Sequence, residues 1–206
     1  MMNRPLLCAL MLSLAVMPAG AANLVKTYSY FSVSGRTLDD IAAQLSKYGP
    51  EVKSTGSRHP GATQMAFTTR VSYAQTPSSC RIANAQVTVK VKVILPEWRR
   101  PRKADPGVRL FWDTLSADIK RHEERHVEIA KNHASELEDA LKATYPQKTC
   151  EAAKAKAAEI STAILAKHDR AQMQFDRVEG VNFESRIVRL LRYRMERIQS
   201  GQLPPG

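Results

Sequence analysis

The residues with the clearest chemical content are His122-Glu123-Glu124-Arg125-His126. On a helix, residues four apart stand one turn above each other, so His122 and His126 present two imidazoles to one point. Two such nitrogens can share a zinc ion at about 2.0–2.1 Å each. Glu123 follows the first histidine at about 100° round the helix, beside the metal rather than on it. There it is placed to take a proton from water acidified by the metal, the mechanics of the His-Glu-x-x-His pattern. A catalytic zinc takes three protein ligands and keeps a position for water, so a third ligand must come from elsewhere.

The element carrying this motif is a long helix running from Val108 to about Ala143, with no interior Gly or Pro. Val108, Phe111, Leu115, Ile119, His122, His126, Ile129, His133, Leu137 and Ala140 fall on one stripe, expected to be the buried face. His133 rises about 10 Å beyond His126 and so does not reach the same ion. Peptidases that bring a third histidine round break the helix at a glycine, and none lies between His126 and His133. A second helix, Glu151 to about Glu179, folds back beside the first. It and its exit offer Glu159, His168, Asp169, Asp176 and Glu179 as third ligands, and spacing alone does not choose among them. A third helix, Phe183 to about Gln199, carries Arg186, Arg189, Arg192, Arg194 and Arg197 beside Ile187, Leu190, Leu191 and Met195. Such a helix lies on an anionic membrane surface or packs its apolar side on the domain; the second is expected here.

The earlier half of the chain reads as strands. Leu24 to Val33 and Gln64 to Tyr73 alternate. In Arg81 to Leu95, Val87, Val89, Val91 and Val93 alternate with Thr88, Lys90 and Lys92, as in an antiparallel sheet with one wet face. Between them Thr37 caps a helix, with Asp40 in capping-box position and Leu38, Ile41, Ala42 and Leu45 as its apolar stripe, ended by Gly49-Pro50. A polar loop follows, roughly 54–61. Strands early and helices late predict an α+β fold: a small antiparallel sheet with one early helix, then a long helical hairpin and a C-terminal helix.

Arg4, an apolar run from Leu6 to Val16 and small residues at Ala19-Gly20-Ala21-Ala22 predict a signal peptide over residues 1–22, with residues 23–206 as one domain. The expected location is therefore periplasmic or secreted. With Cys8 in the leader, Cys80 and Cys150 remain and are expected to form a disulfide in an oxidising compartment. A composition 43% hydrophobic and 25% charged is that of a globular chain able to build a core, not of a disordered one. The net charge of +11 favours acidic partners, or simply solvates helix faces. The compartment argues against nucleic acid.

Taken in order, Tyr30 to Thr37, Gly49-Pro50, Cys80, Leu95-Pro96-Glu97-Trp98, Phe111-Trp112 and His122-Glu123-x-x-His126 resemble a bacterial family. It is catalogued as predicted secreted zinc-dependent proteases, formerly a domain of unknown function. The family shares a later stretch reading aromatic, Asp, two residues, Thr, one residue, His, Gly. Here Phe175 and Asp176 match, while Glu179, Val181 and Asn182 stand in place of the Thr, His and Gly. If that histidine is the family's third ligand, Asp176 or Glu179 must complete the site in this chain. The resemblance implies a peptidase. With the motif, the expected site is one zinc ion on His122, His126 and Asp176 with Glu123 as general base, and the basic charge favours an acidic peptide or protein as substrate. The alternative is a catalytically inactive envelope binding protein that keeps the fold.

Overall fold

The computed structural model describes residues 22–52 and 56–204. The predicted leader, residues 1–22, lies outside the described residues but for Ala22. The strand with the sharpest alternation is the spine of the sheet. In β5 (Cys80–Trp98) Val87, Val89, Val91 and Val93 point into the core while Lys90 and Lys92 face solvent. Strand β4 (Ala62–Gln75) pairs antiparallel along one edge of β5, from Ala62 opposite Ile94 to Gln75 opposite Cys80. Strand β1 (Asn23–Val33) pairs along the other edge, from Asn23 opposite Thr88 to Val33 opposite Trp98, but runs parallel. The small sheet is therefore mixed rather than purely antiparallel. Parallel neighbours need a long crossover instead of a tight turn, and everything between β1 and β5 supplies it.

That crossover begins with helix α1 (Leu38–Tyr48), opened by the expected capping box. Asp40 N donates to Thr37 Oγ1 at 3.1 Å, and Thr37 N donates to Asp40 Oδ2 at 3.1 Å. Ile41 and Leu45 are buried, whereas Leu38 at the predicted edge of the stripe is 43% exposed. Within the segment expected as a polar loop, β3 (Ser57–Arg58) pairs antiparallel with β2 (Glu51–Val52), which precedes it.

Helix α2 (Pro106–Lys142) starts at Asp105, whose Oδ1 accepts from Gly107 N and Val108 N at 2.8 and 3.1 Å, with Pro106 in the first turn where no N–H is needed. It lies across β5, and Glu138 is buried because its Oε2 accepts from the Val87 amide at 2.7 Å. Helix α3 (Cys150–Val181) returns alongside. The turn between them is pinned twice to the sheet. Cys80 and Gln147 exchange both backbone hydrogen bonds at 2.8 Å, and Cys80 and Cys150 form the expected disulfide across 70 residues of chain. Helix α3 continues through Asp176 and Glu179 without the expected exit loop, so both are helical residues.

Helix α4 (Phe183–Gln199) follows at once and buries only Ile187 fully. Val188 and Met195 remain 56% and 48% exposed, so its apolar side is only partly packed on the domain. Among the described residues no helix is long and apolar enough to cross a membrane.

Candidate metal centre

The α2–α3 pairing brings His122, His126 and Asp176 together. His122 Nε2 and His126 Nε2 are 3.1 Å apart, and Asp176 Oδ1 lies 3.2 Å from the first and 2.9 Å from the second. Tetrahedral ligands on one zinc ion sit about 3.3 Å from each other, given bond lengths of about 2.0–2.1 Å. The triangle therefore fits a single metal ion, and these three residues form a group that could hold one. The donor set, two imidazole nitrogens and one carboxylate oxygen, is of the kind that zinc takes. Phe175 walls the group, stacking on His122 at 4.8 Å and meeting His126 edge-on at 5.1 Å. The His126 side chain is 12% exposed and Asp176 55%, so the group opens to solvent on the aspartate side.

The charges are tuned accordingly. Partial burial alone would raise the Asp176 carboxyl, but hydrogen bonds to His122 and His126 and their charges hold it well below the usual carboxylate range. Burial depresses His126, yet the hydrogen bonds to Asp176 and Gln172 leave it raised overall.

Glu123 is on the sheet side of α2 and is the most enclosed residue of the motif, 5% exposed. The expected pattern placed the histidines on the buried line and Glu123 beside it. Instead the core line of α2 runs through Leu115, Ile119, Val127, Ala130, Leu137 and Leu141, and the half-buried histidines face α3. The reason is that α2 is covered on two sides, by the sheet and by α3, which widens its buried arc. Thr63 Oγ1 on β4 donates to Glu123 Oε2 at 2.7 Å. Gly61 passes so close that a Cβ there would lie 2.9 Å from Glu123 Oε1 and 2.8 Å from Ile119 Cγ2. Burial raises the Glu123 carboxyl above its ordinary value, only partly offset by Thr63 and the two histidines. Beside it a cleft of about 320 Å³ is lined by Pro60, Gly61, Ile119, His122, Glu123 and Phe183, among others.

The far nitrogens of both imidazoles are backed by α3. His122 Nδ1 faces Glu179 Oε2 at 3.6 Å. Glu179 is in turn held by Arg121 and, at 3.3 Å, by Arg186 Nη2. Both arginines also grip the buried Asp118, Arg121 at 2.9 Å and Arg186 at 3.1 Å. His126 Nδ1 meets Gln172 Oε1 at 2.5 Å. The Gln172 amide nitrogen reaches His168 Nε2 at 2.8 Å, and His168 Nδ1 meets Asp169 Oδ1 at 2.9 Å.

Of the third-ligand candidates, Asp176 alone joins the histidines. Glu179 and His168 stand behind them, Asp169 supports His168, and Glu159 pairs with Lys156 at 3.0 Å. His133 stays out of the group as expected, with its Nδ1 2.8 Å from the Ile129 carbonyl oxygen. Val181, where the resemblance leads one to expect a histidine, is 83% exposed at the end of α3. Sequence reading missed Gln172, Thr63 and Gly61. The only signal for Gln172 was its place midway between His168 and Asp176 at spacings of four.

Residues 28–184 match the family described as "Bacterial protein of unknown function (DUF922)". The chain belongs to this family. The DUF922 match runs from β1 into the first turn of α4 and so contains every residue of the metal centre. The family description assigns no activity. Comparison with curated proteins and with solved structures finds no match.

Proposed function

We propose that this protein is a zinc-dependent hydrolase working outside the cytoplasm, with the peptide bond as its substrate class. The observation that carries this is the convergence of three ligand atoms, from His122, His126 and Asp176, next to a buried carboxylate on the same helix. The Cys80–Cys150 disulfide supports the compartment, since such bonds persist where the surroundings are oxidising.

A zinc ion held by these residues supplies a Lewis acid that acidifies water and polarises a carbonyl. The rest falls to the chain. Glu123 takes the proton of the attacking water and returns it to the leaving nitrogen. Its burial serves this, because a carboxyl raised above its ordinary value is a stronger base than an exposed one. Thr63 holds one Glu123 oxygen, leaving the other toward Gly61 and the cleft. Phe183, Ile119 and Pro60 give that cleft an apolar wall able to exclude water from the reacting bond.

The test is zinc content and hydrolysis of a fluorogenic peptide library in the wild type, His126→Ala, Asp176→Ala and Glu123→Gln. The expected result is about one zinc per chain, lost in the first two variants and kept in Glu123→Gln, which loses hydrolysis. A wild type that takes up no offered zinc would overturn the proposal in favour of the non-catalytic binding protein.

A further inference from the structure

We infer that Gln172, braced by His168 and Asp169, is a positioning residue that locks His126 in its ligand form and sets the zinc affinity of the site. The inference rests on the metal reading of His122, His126 and Asp176.

The argument begins at an atom with one hydrogen-bonding role. The backbone carbonyl oxygen of His126 can only accept, and it lies 3.2 Å from one end of the Gln172 amide. That end must be the NH2 group. Its other neighbours agree, since His168 Nε2 at 2.8 Å and Met65 Sδ at 3.5 Å both serve as acceptors. The amide oxygen is thereby turned to His126 Nδ1 at 2.5 Å, where it can only accept. His126 therefore keeps a proton on Nδ1, and in the neutral imidazole that would bind a metal the lone pair is on Nε2, facing His122 Nε2 and Asp176 Oδ1.

The chain continues without a conflict of roles. His168 accepts at Nε2 from Gln172, so its own proton is on Nδ1, and this donates to Asp169 Oδ1 at 2.9 Å. From His126 Nδ1 through Gln172 to His168 Nδ1, one donor at each link points on toward the exposed Asp169 carboxylate. The brace is stiff because His168 is 4% exposed, with its ring set edge-on against Phe67 at 4.9 Å. Partners of this kind orient ligand imidazoles and raise their basicity, and their loss commonly lowers metal affinity about 10- to 100-fold. His122 lacks an equal brace, its Nδ1 being 3.6 Å from Glu179. The weight of preorganisation thus falls on Gln172.

The experiment is zinc affinity of the full mature chain, measured by competition with a chromophoric chelator. The variants are Gln172→Met, which keeps the volume and deletes the amide, and His168→Phe, which keeps a ring against Phe67 and removes its acceptor. His133→Ala serves as control, since it lies in the same helix interface, its ring 5.7 Å from that of His168, but outside the chain. The expected outcome is affinity weaker by about 10- to 100-fold for Gln172→Met, by less for His168→Phe, and within about threefold of wild type for His133→Ala. Proton NMR of the zinc form supplies a second readout: a His126 Nδ1 proton protected from exchange in the wild type and unprotected in Gln172→Met. Equal affinity in wild type and Gln172→Met overturns this inference and leaves the metal site standing. Equal losses in Gln172→Met and His133→Ala also overturn it, marking a packing effect. A wild type that binds no zinc overturns both readings.

Discussion

Arg186 joins α4 to the helices of the candidate metal centre, and its replacement gives a sharp test of how this corner is held. Its guanidinium, 12% exposed, meets the Asp118 carboxylate, 3% exposed, at 3.1, 3.2 and 3.2 Å. Removing one member of a buried pair costs about 3–5 kcal/mol, because the other charge is left in a poor solvent. Asp118 is not wholly abandoned, since Arg121 stays 2.9 Å away. That lowers the expected cost of Arg186→Met to about 2–3 kcal/mol, which for a chain of this size shifts the melting temperature down by about 5–10 °C. Urea unfolding of wild type, Arg186→Met, Asp118→Asn and the double variant should give a coupling above about 1 kcal/mol.

The pH dependence adds a check on sign. Burial would raise the Asp118 carboxyl, but the hydrogen bonds and charges of Arg186 and Arg121 hold it below its ordinary value of 3.8. A depressed folded-state value means that this stabilisation is complete above the ordinary value and is lost as pH falls through the folded one. The stability gap between wild type and Asp118→Asn should therefore be constant from pH 7 to 5 and shrink below about pH 4. A coupling under about 0.5 kcal/mol, or a gap that widens in acid, would refute the reasoning.

Three further outcomes are expected. Gly61→Ala forces Glu123 and Ile119 aside; it should cost about 1–3 kcal/mol and cut hydrolysis at least about tenfold while zinc content stays constant. Thr63→Val removes the hydrogen bond that partly offsets the raised Glu123 carboxyl, so the acid limb of the pH–kcat/KM profile should move to higher pH. Joint replacement of Cys80 and Cys150 by serine opens a 70-residue loop and should cost about 4 kcal/mol, read from urea unfolding of oxidised wild type against the variant.

What the sequence made legible follows from where one local pattern decides the outcome. The valine alternation of β5 needs only a two-residue period, and the Thr37–Asp40 box only four residues, so both stand as expected. The disulfide followed from counting cysteines. The parallel pairing of β1 did not follow, because register and direction depend on a partner more than 60 residues away and both edges of β5 present the same alternation. The depth of Glu123 was hidden for a related reason. A helical stripe counts apolar residues, whereas Glu123 is buried by Thr63 and by the missing side chain of Gly61, neither of which leaves a trace in the helix.

The departure at Val181 can then be weighed physically. Helix α3 presents His168, Gln172 and Asp176 at spacings of four, opposite His122, His126 and His133 of α2, so the candidate ligand and the proposed brace share one face. A carboxylate at Asp176 already reaches both imidazole nitrogens, at 3.2 and 2.9 Å. Val181 is five residues further along an unbroken helix and is 83% exposed, so nothing directs that position at the ligand triangle. A third ligand supplied by the helix face, with its backbone fixed on both sides, is better preorganised than one supplied from the last residue of the helix. The absent histidine is therefore a weak argument for an inactive site, and the Asp176→Ala arm of the zinc measurement bears on it most directly.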